Sequence, residues 1–481
     1  MTEHLVEIVS SGARRWPQRV AIESAGVEWT YGQLDRAVNV ATAKLKNAGV
    51  TAGDRVALLM ESTPEYVIHQ IALARLGAAF VTPNPSWTAH EVWQALETTR
   101  ATAAVVDERH RDLVGIGIRV VPVDDSASSP SLDGTVPAVR PQPSAELFIP
   151  FSSGTTGLPK GVVHTTGSVK GAIDQLVQHM GLGADDRIQI SIPLCHIFGT
   201  GMMFAALSVG ARVTLFERFV FEECVTQLRT GAVTVWPLAG SVAHRLARRP
   251  GLSRNDFPAL RYFMWGGSAV PADLAATITS ATGIGFLCSY GMTEAMVVAF
   301  NPVADREQWR LDSPGFPTVG TEVRLGEDGE LEVRGPSVAG AYTSLEPDSP
   351  SPFGDDGWFR TGDVARVDDA GRIWIVDRKK DMIKVSGFQV APAEVESELV
   401  RCPAVRDAAV IAEPDDRTGQ RVIAYVVASS PIRADELTRT LSERLATYKI
   451  PAEVRFVAEI PRSEAGKLQR ARLRERDATK R

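Results

Sequence analysis

The densest group of potentially reactive residues in the chain is the segment 152–161, Ser-Ser-Gly-Thr-Thr-Gly-Leu-Pro-Lys-Gly. Its glycines let backbone amides approach a ligand closely, and its four hydroxyls and Lys160 add hydrogen-bond donors and a positive charge. Donors of this kind suit the oxygens of a polyphosphate. The segment lacks the Gly-Lys-Ser/Thr ending of a Walker loop. We therefore predict a phosphate-binding loop of another type, against the alternative of an ordinary Gly/Ser turn.

A second candidate site is the segment 289–295, Ser-Tyr-Gly-Met-Thr-Glu-Ala. Tyr290 lies between a small residue and Gly291, so its ring can remain open as a stacking platform for adenine, which is worth about 1–3 kcal/mol. Glu294 supplies a carboxylate, and Mg²⁺ in proteins is usually held by one or two carboxylates together with substrate phosphates. The alternatives are a core tyrosine and a surface charge.

Two further residues have side chains that suit nucleotide chemistry. Asp363 lies in a Thr-Gly-Asp turn, and its carboxylate can accept two hydrogen bonds from a vicinal ribose diol, although aspartate is also common in turns for its own backbone contacts. Lys467 follows a glycine in a basic tail, where a lysine is otherwise a solvated charge. No Ser-His-Asp arrangement surrounds His196 in the sequence, so we predict no protein nucleophile and assign Cys195 a structural role.

The sequence resembles the adenylate-forming (AMP-binding) superfamily, because these segments and others occur in the order that is typical of it. The superfamily comprises acyl- and aryl-CoA synthetases, luciferases and the adenylation domains of peptide synthetases. The matching stretches cover almost the whole chain and are 152–161, 193–198, 265–271, 289–295, 357–363, 377–390 and 461–467. Within the superfamily, the sequence looks most like 4-coumarate:CoA ligases and related acyl-CoA synthetases.

The resemblance implies a role for each matching residue at the nucleotide. Thr293 would contact the α-phosphate, Glu294 would help to bind Mg²⁺, and Arg378 would join Asp363 at the ribose. The implied ATP-binding residues are Ser152, Ser153, Gly154, Thr155, Thr156, Gly157, Lys160, Gly267, Ser268, Ser289, Tyr290, Gly291, Met292, Thr293, Asp363 and Arg378.

The resemblance also implies a mobile C-terminal domain. Lys467 would enter the active site in one domain orientation and bridge the carboxylate and the α-phosphate, where it stabilises the charge that grows during attack. Lys380 matches the hinge position of the family. The segment beyond it would help to bind CoA through Lys384, Ser386 and Gly387. The predicted catalytic residues are therefore Lys467, His196, Thr293 and Glu294.

The acyl pocket is predicted from the same resemblance. In the family, the position of His196 lies beside the substrate carboxylate and gates its approach. The expected acyl-binding residues are His196, Phe198, Met202, Trp236, Gly267, Val297 and Val298. Most of them are apolar, which favours an aryl or alkyl acid over a charged or polyhydroxylated one. Trp236 ends a predicted strand, and core packing is an equally good explanation for its indole.

These residues together predict an ATP-dependent acid–thiol ligase, an AMP-forming acyl-CoA synthetase, that acts on an aromatic or fatty acid. The carboxylate would first attack the α-phosphate of Mg-ATP and release pyrophosphate, and the CoA thiolate would then convert the acyl-adenylate to a thioester. One alternative delivers the acyl group to a carrier-protein thiol. Another is a nucleotide-binding protein without turnover, which the presence of all the expected catalytic groups disfavours.

The elements that must position these residues are short strands that alternate with helices. In the first 150 residues, the βαβαβ rhythm indicates a parallel sheet with covering helices. Strands are predicted at 55–60, 79–81, 103–106, 147–151, 187–192, 212–216, 232–236 and 262–265, and helices at 65–76 and 91–98. Later short strands with Gly and Asp turns indicate antiparallel structure, at 322–325, 329–334 and 371–376.

A chain of 481 residues is too long for one ordinary domain. We predict an N-terminal ATP- and acyl-binding adenylation domain, residues 1–379, and a mobile C-terminal lid domain, residues 380–481. The fold class is α/β with an α+β C-terminal unit, and the resemblance adds a distorted β-barrel to the parallel sheets of a large, multi-subdomain N-terminal domain. Residues 124–143, rich in Ser, Pro, Asp and Gly, are predicted to form a surface loop.

Composition excludes several classes of protein. The net charge of −6 disfavours broad nucleic-acid binding, and four widely separated cysteines form neither a zinc motif nor a disulfide framework. No apolar run reaches the roughly 20 residues of a membrane helix. We expect a cytoplasmic monomer or homodimer without stable membrane insertion, whose partners are a small carboxylic acid, ATP and CoA.

Overall fold

The structure is a computed structural model that describes residues 5–115, 117–123, 139–152, 160–238, 240–266, 270, 272–343, 351–385, 388–415, 418–445, 447–462, 468–470 and 472–473. In chain order, its helices are α1 (Ile8–Arg15), α2 (Tyr31–Asn47), α3 (Pro64–Leu76), α4 (Ala89–Thr99), α5 (Thr166–Met180), α6 (Ile197–Ser208), α7 (Phe221–Arg229), α8 (Gly240–Ala247), α9 (Ala272–Thr282), α10 (Pro392–Val400) and α11 (Ala434–Ser442). Its strands are β1 (Val20–Ser24), β2 (Val27–Thr30), β3 (Arg55–Leu59), β4 (Ala79–Val81), β5 (Ala103–Val106), β6 (Arg119–Pro122), β7 (Glu146–Ile149), β8 (Phe151–Ser152), β9 (Lys160–Thr165), β10 (Arg187–Ile190), β11 (Arg212–Leu215), β12 (Val235–Leu238), β13 (Tyr262–Trp265), β14 (Phe286–Met292), β15 (Ala295–Phe300), β16 (Phe316–Pro317), β17 (Glu322–Leu325), β18 (Glu330–Arg334), β19 (Ala341–Tyr342), β20 (Phe359–Val367), β21 (Ile373–Arg378), β22 (Ile383–Val385), β23 (Phe388–Val390), β24 (Val405–Asp415), β25 (Gly419–Ala428) and β26 (Glu453–Phe456).

The first compact unit contains two sheets. It comprises Met1–Leu238, Val242–Glu322 and Val333–Phe359. One sheet has the order β16-β15-β14-β13-β12-β10-β11-β1-β2, and the other has the order β19-β9-β7-β4-β3-β5-β6 with β8 paired to β9. The strands from β14 to β1 and those from β7 to β6 run parallel to their neighbours. The predicted parallel sheets are therefore confirmed.

Two helices of this unit are buried on almost every side. In α3 every residue except Glu65 is buried, and in α6 every residue except Phe198 and Ser208 is buried. Helices that are covered on almost every side lie in the interior of a large domain. Side chains of both helices share one core cluster with α1, α2, α5 and strands of both sheets. This core fixes α6, and with it the loop before α6 that carries His196.

The second compact unit comprises Ala239–Ser241, Val323–Glu332 and Arg360–Arg481. It holds most of the sheet β17-β18-β20-β21 and all of the sheet β23-β22-β25-β24, with β26 beside β25. The pairs β20–β21 and β24–β25 are antiparallel. The first pair lies in the part of the chain where Gly and Asp turns predicted antiparallel structure. Apolar residues of α10, α11 and the strands β22 to β25 form a core of their own.

The predicted α/β fold class is confirmed, and the differences lie mainly at the ends of elements. The predicted strand 147–151 is divided at Pro150 into β7 and β8, because proline has no N–H to donate to a ladder. The strand predicted at 232–236 begins at Val235 and continues to Leu238. Most of the predicted surface loop, residues 124–138, lies outside the described residues, and the domain boundary at 379/380 stays a prediction. Among the described helices, none is long and apolar enough to cross a membrane.

Candidate active site

The ends of the predicted phosphate loop are fixed by a short β ladder. Ser152, the last residue of β8, pairs with Lys160, the first residue of β9. Both residues are half-buried. Gly161 follows, and a Cβ at its position would lie 2.8 Å from Thr343 Oγ1. A side chain at this position would therefore displace the side chain of Thr343. The residues between the two ends, Ser153, Gly154, Thr155, Thr156 and Gly157 among them, lie outside the described residues.

The second predicted segment forms a tight hairpin. β14 and β15 are antiparallel, Met292 pairs with Ala295, and Thr293 and Glu294 form the two-residue turn between them. The register shifts between Tyr290 and Met292. Gly291 is required at this irregular point, because a Cβ would collide with the carbonyl oxygen of Met296. Ser289, Tyr290, Gly291 and Met292 are half-buried, so part of each of these residues stays open to solvent.

Three contacts from other elements hold the Thr293–Glu294 turn. His164 Nε2 lies 2.7 Å from the carbonyl oxygen of Thr293, and the Ala339 amide donates to the carbonyl oxygen of Glu294 at 2.8 Å. Tyr342 Oη donates to Glu294 Oε1 at 2.8 Å. The strand that follows the phosphate loop is thereby joined directly to the turn that carries Glu294.

The sequence prediction missed both side chains that make these contacts. His164 lies on β9, and Tyr342 lies on β19, which pairs with β9. Neither residue stands in one of the segments that resemble the superfamily. Their distances along the chain to Thr293 and Glu294 are 129 and 48 residues, so no local pattern could have linked them to the turn.

The two residues predicted to bind the ribose are paired with each other in the second unit. Arg378 Nε lies 2.7 Å from Asp363 Oδ1, and the two residues are cross-strand partners on β20 and β21. The Asp363 amide donates to Thr361 Oγ1 at 3.1 Å, and Thr361 Oγ1 donates to the carbonyl oxygen of Leu331 at 2.7 Å. The segment Thr361–Asp363, predicted as a turn, is instead part of strand β20, and these bonds tie it to β18.

The segment before α6 is held by hydrogen bonds from three buried hydroxyls. Ser62 Oγ accepts from the Leu194 amide at 2.9 Å, Thr82 Oγ1 donates to the Cys195 carbonyl oxygen at 3.1 Å, and Thr200 Oγ1 donates to the Leu194 carbonyl oxygen at 2.6 Å. His196 is exposed at the N-terminus of α6, whereas Cys195 is buried. The histidine can therefore meet a ligand, and the buried thiol agrees with a structural role for Cys195.

The predicted acyl-binding residues differ in accessibility. Phe198 is half-buried, whereas four others have at most 1% of their surface exposed, namely Met202, Trp236, Val297 and Val298. Trp236 packs beside Phe263 with 6.3 Å between ring centroids, and Trp265 is equally buried. These buried side chains would contact an acid only if they enclosed it. Their acyl-binding role stays a prediction.

The comparisons with known proteins decide the family. The chain matches the AMP-binding enzyme family over residues 9–343 and the AMP-binding enzyme C-terminal domain over residues 394–467. It belongs to the AMP-binding enzyme family. The predicted resemblance to adenylate-forming enzymes is therefore confirmed.

Individual relatives of this AMP-binding enzyme align along nearly their whole length. It is 31% identical to 4-coumarate–CoA ligase 3 of Oryza sativa subsp. japonica, across 94% of this chain and 88% of the relative. It is 33% identical to feruloyl-CoA synthase of Amycolatopsis sp, across 96% and 97%. The crystal structure of ATP-bound MatB from Rhodopseudomonas palustris superposes with a TM-score of 0.92 at 26% identity, across 99% of both chains.

CoA ligases in this family use ATP and CoA as co-substrates and Mg²⁺ as a cofactor. The side chain of Glu294 is a suitable ligand for Mg²⁺. Its carboxylate is a hard oxygen donor on a turn that is not fully buried, and such donors suit Mg²⁺. Among the described residues, no group of three or more His, Cys, Asp or Glu side chains converges on one point. A metal ion here would thus take most of its ligands from substrate phosphates and water.

Several predicted residues of this AMP-binding enzyme have no described side chain. Gly267, Ser268, Ser386, Gly387 and Lys467 lie outside the described residues, and only the backbone is described for Lys380 and Lys384. Lys380 lies in a 3₁₀ turn, Lys379–Asp381, and Lys384 lies in β22. The hinge, the CoA-binding residues and the catalytic lysine therefore stay predictions.

Proposed function

We propose that this chain is an ATP-dependent carboxylate–CoA ligase that activates an aromatic acid, in two steps at one site. The observation that carries the proposal is the direct contact of the strand after the phosphate loop with the Thr293–Glu294 turn, through His164. This contact joins β9, which begins at the end of the predicted phosphate loop, to the predicted α-phosphate- and metal-binding turn. The relatives named for 4-coumarate and ferulate support an aromatic substrate over a fatty acid.

The first step joins the acid to AMP. A carboxylate oxygen of the acid attacks the α-phosphorus of ATP, the bond from the α-phosphorus to the bridging oxygen breaks, and pyrophosphate leaves. Tyr290 would stack on adenine, Thr293 would bind the α-phosphate, and Asp363 would accept hydrogen bonds from the ribose. Mg²⁺, when bound at Glu294, would neutralise phosphate charge. Lys467 would stabilise the charge that develops during attack.

The second step transfers the acyl group to sulfur. A carboxylate is a poor electrophile because its leaving group is oxide, whereas the adenylate releases AMP. The CoA thiolate attacks the carbonyl carbon, the bond from that carbon to the phosphate oxygen breaks, and the thioester and AMP are formed. Rotation about Lys380 would exchange Lys467 for the segment of Lys384, Ser386 and Gly387, so that one pocket serves both reactions.

The acid is proposed from the chemistry of the predicted pocket. Phe198, Met202, Val297 and Val298 offer apolar and aromatic contacts, which favour a flat aryl group and disfavour a second charge. His196, exposed at the start of α6, would lie beside the carboxylate. Benzoate, cinnamate, 4-coumarate and ferulate are therefore the expected substrate class.

A panel of acids tests the proposal. The purified protein is given ATP, Mg²⁺ and each of benzoate, cinnamate, 4-coumarate, ferulate, malonate and fatty acids of graded length. Pyrophosphate release is measured with each acid, and mass spectrometry identifies the product with CoA or with a carrier protein carrying a phosphopantetheine thiol. We expect release with aryl acids and an aryl-CoA thioester. Thioester on the carrier protein alone would favour the carrier-protein alternative, and the absence of pyrophosphate with every acid would overturn ligase activity.

A further inference from the structure

The Thr293–Glu294 turn has few restraints of its own. It consists of two residues between β14 and β15, and it follows the register shift at Gly291. A side chain at such a turn has several rotamers in solution, and their loss on binding lowers affinity. A site that must place one carboxylate against a metal–nucleotide complex therefore depends on the neighbours that hold it.

Tyr342 holds the carboxylate. Its hydroxyl donates to Glu294 Oε1 at 2.8 Å, and its ring packs edge-on against Phe353 at a centroid distance of 5.4 Å. The backbone of Tyr342 is fixed as well, because Tyr342 pairs with Val162 in the antiparallel ladder of β19 and β9. A hydrogen bond to one carboxylate oxygen selects one rotamer of Glu294.

His164 holds the backbone of the same turn. It is fully buried, and its Nε2 must carry the proton, since its partner at 2.7 Å is the carbonyl oxygen of Thr293. Its Nδ1 lies 3.2 Å from Ser168 Oγ, which fixes the orientation of the ring. Burial lowers the pKa of His164 to about 4, so the ring is neutral and supplies a single N–H at neutral pH.

Both contacts come from one pair of neighbouring strands, β9 and β19. His164 belongs to β9, which begins at Lys160 where the phosphate loop ends, and Tyr342 belongs to the strand beside it. The Gly340 amide donates to the Val163 carbonyl oxygen at 2.9 Å, and the Thr343 amide donates to the Gly161 carbonyl oxygen at 2.8 Å. Backbone hydrogen bonds thus join the strand of Tyr342 to Gly161, the last residue of the predicted phosphate loop.

We propose that Tyr342 and His164 are positioning residues for the metal–nucleotide complex, Tyr342 by orienting the Glu294 carboxylate and His164 by fixing the Thr293 carbonyl. This proposal rests on the proposed function, in which Glu294 meets Mg²⁺ and Thr293 meets the α-phosphate. In this role, each residue acts through the Thr293–Glu294 turn and not through the substrate. Their loss should weaken the use of Mg-ATP without removing the chemical groups that react.

The first test is Tyr342→Phe, which removes one hydroxyl and keeps the ring against Phe353. We expect the Mg²⁺ concentration for half-maximal pyrophosphate release to rise about tenfold, as for the loss of one hydrogen bond to a charged group, while kcat at saturating Mg²⁺ stays near that of the wild type. The matched control is Tyr31→Phe, since Tyr31 Oη donates to the buried carbonyl oxygen of Ala211 at 2.8 Å on elements away from the turn. That control should leave the Mg²⁺ dependence unchanged.

A direct binding measurement separates this proposal from the proposed function. Mn²⁺ is used as a paramagnetic probe, and its binding to the protein–ATP complex is followed by electron paramagnetic resonance without any acid. We expect Tyr342→Phe to weaken Mn²⁺ binding about tenfold. ATP binding without metal, measured by calorimetry, should be unchanged. If no acid is ever activated, this measurement still tests the positioning role.

The second test compares His164→Gln with His164→Leu. Glutamine can place an N–H near the position of Nε2, and leucine has a similar volume without a donor. We expect the glutamine variant to keep Mn²⁺ affinity within about threefold of the wild type, and the leucine variant to lose about tenfold. Wild-type metal dependence in Tyr342→Phe and in His164→Leu would overturn the proposal. An equal loss of metal-free ATP binding in Tyr342→Phe would also overturn it, because that loss indicates a merely structural role.

Discussion

Arg378 and Asp363 face each other across two antiparallel strands, with Arg378 Nε 2.7 Å from Asp363 Oδ1. The two side chains differ in exposure, because Asp363 is 4% exposed and Arg378 is 47% exposed. The half-exposed guanidinium of Arg378 thus holds the buried carboxylate of Asp363 in place from one side. This geometry agrees with the predicted pairing of both residues at a ribose.

Asp363→Asn should reduce the preference for ribose over deoxyribose nucleotides. The amide keeps the size of the side chain but loses the charge, and hydrogen bonds to charged groups contribute about 1.5–3 kcal/mol, or roughly 10- to 100-fold in affinity. We expect KM for ATP to rise by this factor and KM for 2′-deoxy-ATP and 3′-deoxy-ATP to change less. Steady-state kinetics with the three nucleotides measures the effect.

The second unit offers a matched control for that variant. Glu332 accepts a hydrogen bond from Arg324 at 2.6 Å, and Arg324 is as exposed as Arg378. Glu332→Gln removes the charge of a similar ion pair and should leave the nucleotide preference unchanged. If both variants, or neither, changed the ratio of KM for ATP to KM for the deoxynucleotides, the ribose assignment of Asp363 would be wrong.

Lys467→Ala should separate the two proposed half-reactions. Loss of one donor to developing charge lowers the rate about 10²- to 10³-fold, and we expect this loss in acid-dependent exchange of pyrophosphate into ATP. Conversion of a supplied acyl-adenylate to the thioester with CoA should continue at nearly the wild-type rate. Lys449→Ala is the control, because Lys449 is paired with Glu394 in the same unit. Equal loss of both half-reactions would contradict the assignment.

The fold could be predicted where local pattern decides structure. The apolar run at 55–59 and the helical pattern after it predict a strand followed by a helix. The structure has both, as β3 and the helix Pro64–Leu76, within one or two residues of the predicted positions. The Asp363–Arg378 pair could also be predicted, since each residue stands in its own motif. Side chains buried among neighbours are harder to predict. The residues beside Trp236 in the sequence do not show whether its indole lines a pocket or fills the core.

The contacts of His164 and Tyr342 could not be predicted, for a related reason. Each of them contacts a residue that is far away in the chain. These contacts depend on the order of strands β19 and β9 in their sheet and on the helices packed against that sheet. Periodicity predicts that β9 is a strand, but it does not predict which hairpin lies against its face. The residues that are predicted to reach a ligand lie in motifs, whereas His164 and Tyr342 do not.

Arg470→Met should destabilise the C-terminal part of the chain. Arg470 donates to both oxygens of Glu396, at 2.7 and 2.9 Å, and to the Val410 carbonyl oxygen at 3.1 Å. Burial raises the pKa of Glu396 and that of the nearby Asp377, so both carboxylates already lack the stabilisation of water. Removing one partner of a buried ion pair costs about 3–5 kcal/mol, and urea unfolding of the variant should show a loss of this order.

The control for that variant is Arg433→Met. Arg433 is paired with Asp435 at 2.9 Å, but its side chain is 82% exposed, and exposed pairs contribute about 0–1 kcal/mol. A loss of stability in Arg433→Met as large as that in Arg470→Met would contradict the argument from burial. Rescue of Arg470→Met by Glu396→Gln, which removes the unpaired charge, would support it.

His164 should make the stability of the protein depend on pH in mildly acidic solution. Burial lowers the pKa of His164 from 6.5 to about 4, so between these values the unfolded chain binds a proton that the folded state does not. The stabilisation is present above pH 6.5 and is lost as the pH falls towards 4, by about 3 kcal/mol in total. His164→Gln has no such proton to gain. The difference in the free energy of unfolding between wild type and variant, measured in urea at a series of pH values, should therefore shift in favour of the variant as the pH falls from 7 to 4.

The pKa of His179 is lowered as well, which makes His179→Gln the comparison for a less buried ring, with a smaller shift expected. A difference between wild type and His164→Gln that stays constant over this range would show that His164 is not held neutral in the fold.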